Sequence, residues 1–136
     1  MVVDMDRVFL DANVLFSAAY GSPGLRRLWD MARTGRCQLL ASAHVIEEAR
    51  RNLDCPESLA ELDELVKEVE IVPECDPQVP YPVNLPENDR PVLMAAILAR
   101  ATHLVTGDLK HFGAYRGQAM QGVLIQTPRD YLTGRH

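Results

Sequence analysis

Residues 85–112 read LPENDRPVLMAAILARATHLVTGDLKHF, and this stretch decides the fold. Asp89 stands just before Pro91, and proline favours the first turn of a helix, where its missing N–H costs nothing. The VLMAAILA that follows is apolar nearly all round, which predicts a well-buried helix. Ala101 and Thr102 break it. Residues 103–106 (HLVT) are short, apolar and β-branched, the pattern of a buried strand. Gly107 turns the chain and Asp108 follows at once. An Asp just past the carboxyl end of a buried strand lies where open α/β sheets place their sites.

The amino-terminal segment repeats that logic. Residues 7–10 (RVFL) read as a short strand, and Asp11 follows directly. If the two strands are parallel neighbours, Asp11 and Asp108 emerge on the same edge of the sheet. Two carboxylates side by side repel, and one must take a proton unless a cation intervenes. Each Asp alone would serve equally well as a cap for the next helix. Asp11, Asp89 and Asp108 together point to a metal site.

Composition sets broad bounds. A chain of 136 residues suits one domain with a real core, so a single domain over 1–136 is expected. Hydrophobic residues make up 47%, an ordinary globular share. Asp4, Asp6 and Arg7 near the start argue against a signal peptide, and no apolar run approaches the roughly 20 residues of a membrane helix. Cys37, Cys55 and Cys75 are odd in number and lack metal-ligand spacing, so reduced thiols in a cytoplasmic protein are the expectation. The net charge of −5 taken alone argues against nucleic acid, but its distribution does not. Residues 54–76 hold nine acids and one lysine, a local −8, which leaves +3 on the remainder. Phosphate contacts require a basic patch rather than a basic total. The candidates are Arg26, Arg27, Arg50 and Arg51, with Lys110 and Arg116 beside a second groove; the same arginines would also suit ordinary solvated helix faces.

Between these landmarks the chain alternates. ANVLFSAAYG reads as a helix ending near Gly21, with Asn13 close enough to Asp11 to bond a carboxylate or a bound water. Ser22 and Pro23 open a second helix with Leu25, Leu28, Trp29 and Ala32 at helical spacing. CQLLA is a candidate strand, and Ser42 a good cap for the helix AHVIEEARRNL. On a helical wheel Glu48 borders the apolar face while Glu47 points to solvent, so Glu48 is the better site candidate. Pro56 starts an acidic helix, and residues 70–72 form a short strand. Five of the nine prolines then fall between Pro73 and Pro86, a stiff connection suited to bordering a groove. Residues 109–121 read as loop or short helix, 122–126 (GVLIQ) as a last strand and PRDYL as a terminal helix. His44, His103 and His111 form no metal spacing among themselves, and His103 reads as structural. The order predicts a three-layer α/β/α sandwich with a mainly parallel central sheet.

With these elements in place, VFLDANVLFSA resembles the opening of a PIN domain, SAHVIEEARRNL its second acidic helix, and PENDRPVLMAAILARATHLVTGDLKHFG its third and fourth acidic motifs. GVLIQTPRDYL resembles the closing strand and helix, so the likeness covers nearly the whole chain. The resemblance implies a Mg²⁺- or Mn²⁺-dependent endoribonuclease. It implies RNA as substrate and, for the toxin members of the family, an antitoxin partner; a homodimer is also to be expected. By motif position it carries the acids over as Asp11, Glu48, Asp89 and Asp108, with Asn13 and Thr106 as polar supports. One departure stands out. Many members have an Asp where His111 stands here, so the ligand at Asp108 is expected to be displaced or to act through water.

Hard divalent cations prefer oxygen donors, which suits four carboxylates. Two other classes share the pattern. One is a PIN-like domain without activity that binds RNA or a protein. The other is a doubly wound phosphotransfer domain, which as a phosphatase would want Asp where Asn13 stands and as a receiver would have only Lys110 to offer.

Overall fold

The computed structural model describes residues 5–74 and 90–134. Its elements alternate as the sequence predicts: β1 (Asp6–Leu10), α1 (Ala12–Ala19), α2 (Pro23–Arg33), β2 (Cys37–Ser42), α3 (Ala43–Asn52), α4 (Pro56–Val66), β3 (Glu70–Val72), α5 (Arg90–Leu98), β4 (His103–Val105), α6 (Leu109–Phe112), β5 (Ala119–Met120), β6 (Val123–Gln126) and α7 (Pro128–Leu132). Helices flank a six-stranded sheet of order β3-β2-β1-β4-β6-β5, in the three-layer arrangement. All pairings are parallel except β5 with β6.

The central strands are buried on both faces, which is why they read as continuous apolar runs. Val8, Phe9 and Leu10 of β1 and Leu104 and Val105 of β4 are fully buried. Burial of each larger side chain contributes roughly 1.5–3 kcal/mol. Five consecutive residues of α5, Val92 to Ala96, are buried too, as expected of a helix apolar all round. Trp29 belongs to the core, and its Nε1–H donates to the Leu65 carbonyl at 3.0 Å, tying α2 to α4.

Chain direction places the site. From β1 the chain goes outward on one side to β2 and β3, and later returns to add β4 and β6 on the other. The gap between β1 and β4 is therefore the topological switch point, where the loops at the carboxyl ends diverge and leave a crevice. Leu10 pairs with Val105, so Asp11 and Thr106 come level immediately past the two strands. The Asp11 N–H donates to the Val105 carbonyl at 3.1 Å, which holds that register one residue further.

Two sequence expectations need adjustment here. The segment after α6 is not loop alone: Ala119 and Met120 pair antiparallel with Leu124 and Val123 across a tight turn. Gln121 and Gly122 at that turn both have positive φ, 53° and 87°, as a two-residue hairpin requires. The proline-rich connection expected to border the groove lies largely outside the described residues, and so do Cys75 and Asp89.

A candidate acidic cleft at the switch point

Asp11 is the centre of the cleft. As N-cap of α1 its Oδ1 accepts the Ala12 N–H at 2.8 Å. Its Oδ2 accepts the Thr106 hydroxyl at 2.8 Å and the Asn13 amide at 3.3 Å. The residue is 6% exposed. Burial pushes its pKa up from 3.8; the Thr106 and Ala12 hydrogen bonds pull it down, and the charges of Glu48 and Asp108 push it up again. Asp11 is therefore a carboxylate whose ionisation is opposed both by its surroundings and by its neighbours.

Thr106 and Asn13 hold the acids in place from beneath. Thr106 is fully buried, and its Oγ1 also accepts the Asp108 N–H at 3.0 Å. One hydroxyl thus fixes the Asp11 carboxylate and the backbone that carries Asp108. Asn13 spans the same gap, its Oδ1 accepting the Gly107 N–H at 2.8 Å. A Cβ added at Gly107 would lie 3.3 Å from that Oδ1, so the turn into Asp108 runs close against Asn13.

Asp108 caps α6, its Oδ1 accepting the His111 N–H at 3.2 Å. Its Oδ2 lies 2.8 Å from Nδ1 of His111. His111 thus contacts the neighbouring acid. Glu48 projects from α3 into the cleft, and Glu47, on the next face, does not line it. The cleft encloses about 470 Å³, and Asp11, Asn13, Glu48, Asp108 and His111 border it with Arg51, Asn52, His44 and Val92. A larger hollow of about 530 Å³ lies between α2 and α4, but its ions pair across it, Arg26 with Glu61 and Arg33 with Glu68.

Three of the four predicted acids thus border one cleft. Asp89, the fourth, lies outside the described residues, one position before α5, whose Val92 lines the cleft. Among the described residues no three His, Cys, Asp or Glu side chains are close enough to enclose one ion. The donor chemistry still fits a divalent cation: a buried anion that neighbouring anions push toward protonation is what an added positive charge relieves.

The predicted basic residues disperse. Arg51 lines the cleft. Arg50, on the adjoining face of α3, contacts Asp63 of α4 at 2.8 Å. Arg26 contacts Glu61 at 3.3 Å and donates to the Ala18 carbonyl at 3.2 Å. Arg27 borders a separate hollow beside Thr127 and Pro128, and Lys110 is exposed on α6. Sequence reasoning missed His44, His111 and Asn52 as cleft residues. For the two histidines the signal was present in spacing to acids rather than to each other: His44 is four residues before Glu48, and His111 three after Asp108.

A family model described as PIN domain matches residues 7–110. No match is found among curated proteins. Among solved structures, a chain from the crystal structure of VapBC2 from Rickettsia felis bound to a DNA fragment from their promoter superposes with a TM-score of 0.61. It is 16% identical, over 89% of this chain and 98% of that one, a likeness of fold.

Proposed function

The chain belongs to the PIN domain family, and on that premise we propose that it is a divalent-metal-dependent endoribonuclease cutting RNA in the cleft between β1 and β4. PIN domains are generally nucleases and typically use divalent metals. The observation that carries the reading is Asp11: a buried carboxylate fixed by three hydrogen bonds, with the charges of Glu48 and Asp108 acting on it.

Asp11, Glu48 and Asp108, with Asp89, would hold the ion, Mg²⁺ or Mn²⁺. Bound there, it would supply Lewis acidity to activate water and offset charge building on the phosphate. Thr106 and Asn13 keep Asp11 in one orientation and set the Asp108 loop against it. His111 holds the Asp108 carboxylate at a fixed angle. Arg51 faces the cleft as a phosphate contact, whereas Arg26 and Arg50 already face Glu61 and Asp63 and Arg27 borders a separate hollow. No protein nucleophile is required.

The test is cleavage of a mixed RNA pool with Mg²⁺, with Mn²⁺ and with chelator. Metal-dependent cutting that Asp11→Asn abolishes is expected; intact RNA under all conditions would favour a binding domain without activity. The fold likeness to a VapBC2 chain supports a narrower reading, the toxin of a toxin–antitoxin pair with an antitoxin partner. Growth arrest on expression of the chain alone, absent with Asp11→Asn, is the result that reading expects.

A further inference from the structure

A second hollow, of about 330 Å³, adjoins the acidic cleft and shares Asn13, Glu48 and Asn52 with it. The rest of its described lining is Ala12 and Phe16. Ala12, Phe16 and Tyr20 stand at i, i+4 and i+8 along α1 and its C-cap, and Glu48 and Asn52 at i and i+4 of α3. One stripe of each helix therefore borders the hollow. The Phe16 ring is half-buried, and its centroid lies 5.5 Å from that of the exposed Tyr20, tilted by 39°. The Asn52 side chain donates one amide hydrogen to the Glu48 carbonyl at 3.0 Å. Its other amide hydrogen and its Oδ1 have no partner among the described residues. The Asn13 amide, by contrast, is committed to Asp11 and Gly107.

Resting on the nuclease reading above, we infer that this hollow seats one nucleobase of a single-stranded RNA, stacked on Phe16 and read along its edge by the Asn52 amide, with adenine preferred. Proteins recognise single strands by stacking bases on aromatic rings and bonding their exposed edges, and these two side chains offer that pair of contacts. Ligand pockets begin at about 300 Å³, so a hollow of this size takes one flat base rather than a paired stem. Asn52 retains one donor and one acceptor, the set that pairs with N6–H and N7 of adenine. Because the two hollows share a wall at Glu48 and Asn52, a strand whose phosphate enters the cleft brings the adjoining base to Phe16. The competing account makes Phe16 a packing residue at the edge of the core and Asn52 a cap on the end of α3. It gives RNA no preference for one base.

Binding in an Asp11→Asn parent, which should not cut and repels RNA less, separates the two accounts. The probes are short oligouridines carrying one adenine, one 2-aminopurine, whose fluorescence is quenched on stacking, or neither. Quenching on binding is expected, with affinity about tenfold higher for the adenine strand than for the all-uridine strand. Adding Phe16→Leu, which keeps an apolar side chain against the core, should abolish the quenching and lower adenine-strand affinity about tenfold. Phe16→Tyr, which keeps the ring, should retain both. Asn52→Ala should keep the quenching and cut the adenine preference to below about threefold. Asn52 is exposed at the end of α3, so its replacement spares the core and keeps the result decisive if Phe16→Leu fails to fold. Quenching that persists in Phe16→Leu, an adenine preference that survives Asn52→Ala, or a parent that binds both strands equally or not at all overturns the inference. Metal-dependent cleavage by the unaltered protein is scored separately: strands bound and quenched but never cut would keep the base site and overturn the nuclease reading.

Discussion

Asp11 and Asp130 make an instructive pair. Each follows a parallel strand of the same sheet, Asp11 after β1 and Asp130 after β6, and each accepts a backbone N–H at the start of a helix. Asp130 completes a capping box with Thr127, and the Arg116 guanidinium meets it through two hydrogen bonds of 2.8 and 2.9 Å. That contact holds its carboxyl far down, at about 2. Asp11 has Thr106 and Asn13 but, among the described residues, no cation; its charged neighbours are Glu48 and Asp108, and its pKa moves the other way. One helix start closes its own charge and the other leaves it open. The difference teaches that an Asp after a strand becomes a site through what is withheld from it.

The largest expected effect falls on the open side. Glu48→Gln should lower RNA cleavage by more than about a hundredfold, beyond the 10–100-fold typical of residues that only support a metal ligand. Glu47→Gln, one face round the helix, should stay within a few-fold. Time courses on one RNA with Mn²⁺ compare them; the reverse ranking would mean that the face of α3 turned to the cleft is misassigned.

Thr106→Val comes next, since it preserves shape and deletes the hydroxyl that serves both Asp11 and Asp108. Losing those bonds in a buried setting should cost about 1–3 kcal/mol in denaturant unfolding and about 10–100-fold in cleavage. Unchanged activity would reduce Thr106 to a packing residue.

pH separates the two aspartates by sign. Asp11 has a raised folded pKa, so its contribution to stability is present below 3.8 and is lost as pH rises through the folded value. Asp130 has a depressed one, so its contribution is present above 3.8 and is lost as pH falls toward about 2. In chelator, Asp11→Asn should therefore melt higher than the unaltered protein near neutral pH, by a few degrees, and the gap should close on acidification. Asp130→Asn should melt lower near neutral pH, and its deficit should shrink in acid. Matching pH profiles for the two variants would break the comparison.

Much of this was legible in the chain. Asp11 follows its strand at once and Asp108 follows the other after Thr106 and Gly107, and parallel pairing of the two buried strands brings both to one edge of the sheet. Ser42 before AHVI declared a helix start, and the wheel separated Glu48 from Glu47. What stayed hidden depends on partners far along the chain. Arg26 and Arg50 look like phosphate contacts until α4 lays Glu61 and Asp63 against them. The two residues of β5 carry no pattern of their own, and a hairpin turn made by Gln121 and Gly122 brings them to β6. The place of His44 is written in its spacing to the glutamate one turn away and not in its spacing to the other histidines.

The smallest effect is the sorting of those arginines. In a variant that cannot cut, Arg51→Ala should reduce the salt slope of log K for single-stranded RNA by about 0.7, the value of one phosphate contact. Arg50→Ala, already facing Asp63, should change it less.

The central claim is that the open charge at Asp11 is a divalent cation site, and calorimetric titration of Mn²⁺ tests it most directly. The unaltered protein should bind Mn²⁺ and gain about 2.7 kcal/mol of stability at a hundredfold excess over Kd. Asp11→Asn should bind at least about tenfold more weakly, while Asp130→Asn should bind as the unaltered protein does. Equal Mn²⁺ affinity in the unaltered protein and Asp11→Asn would contradict the account.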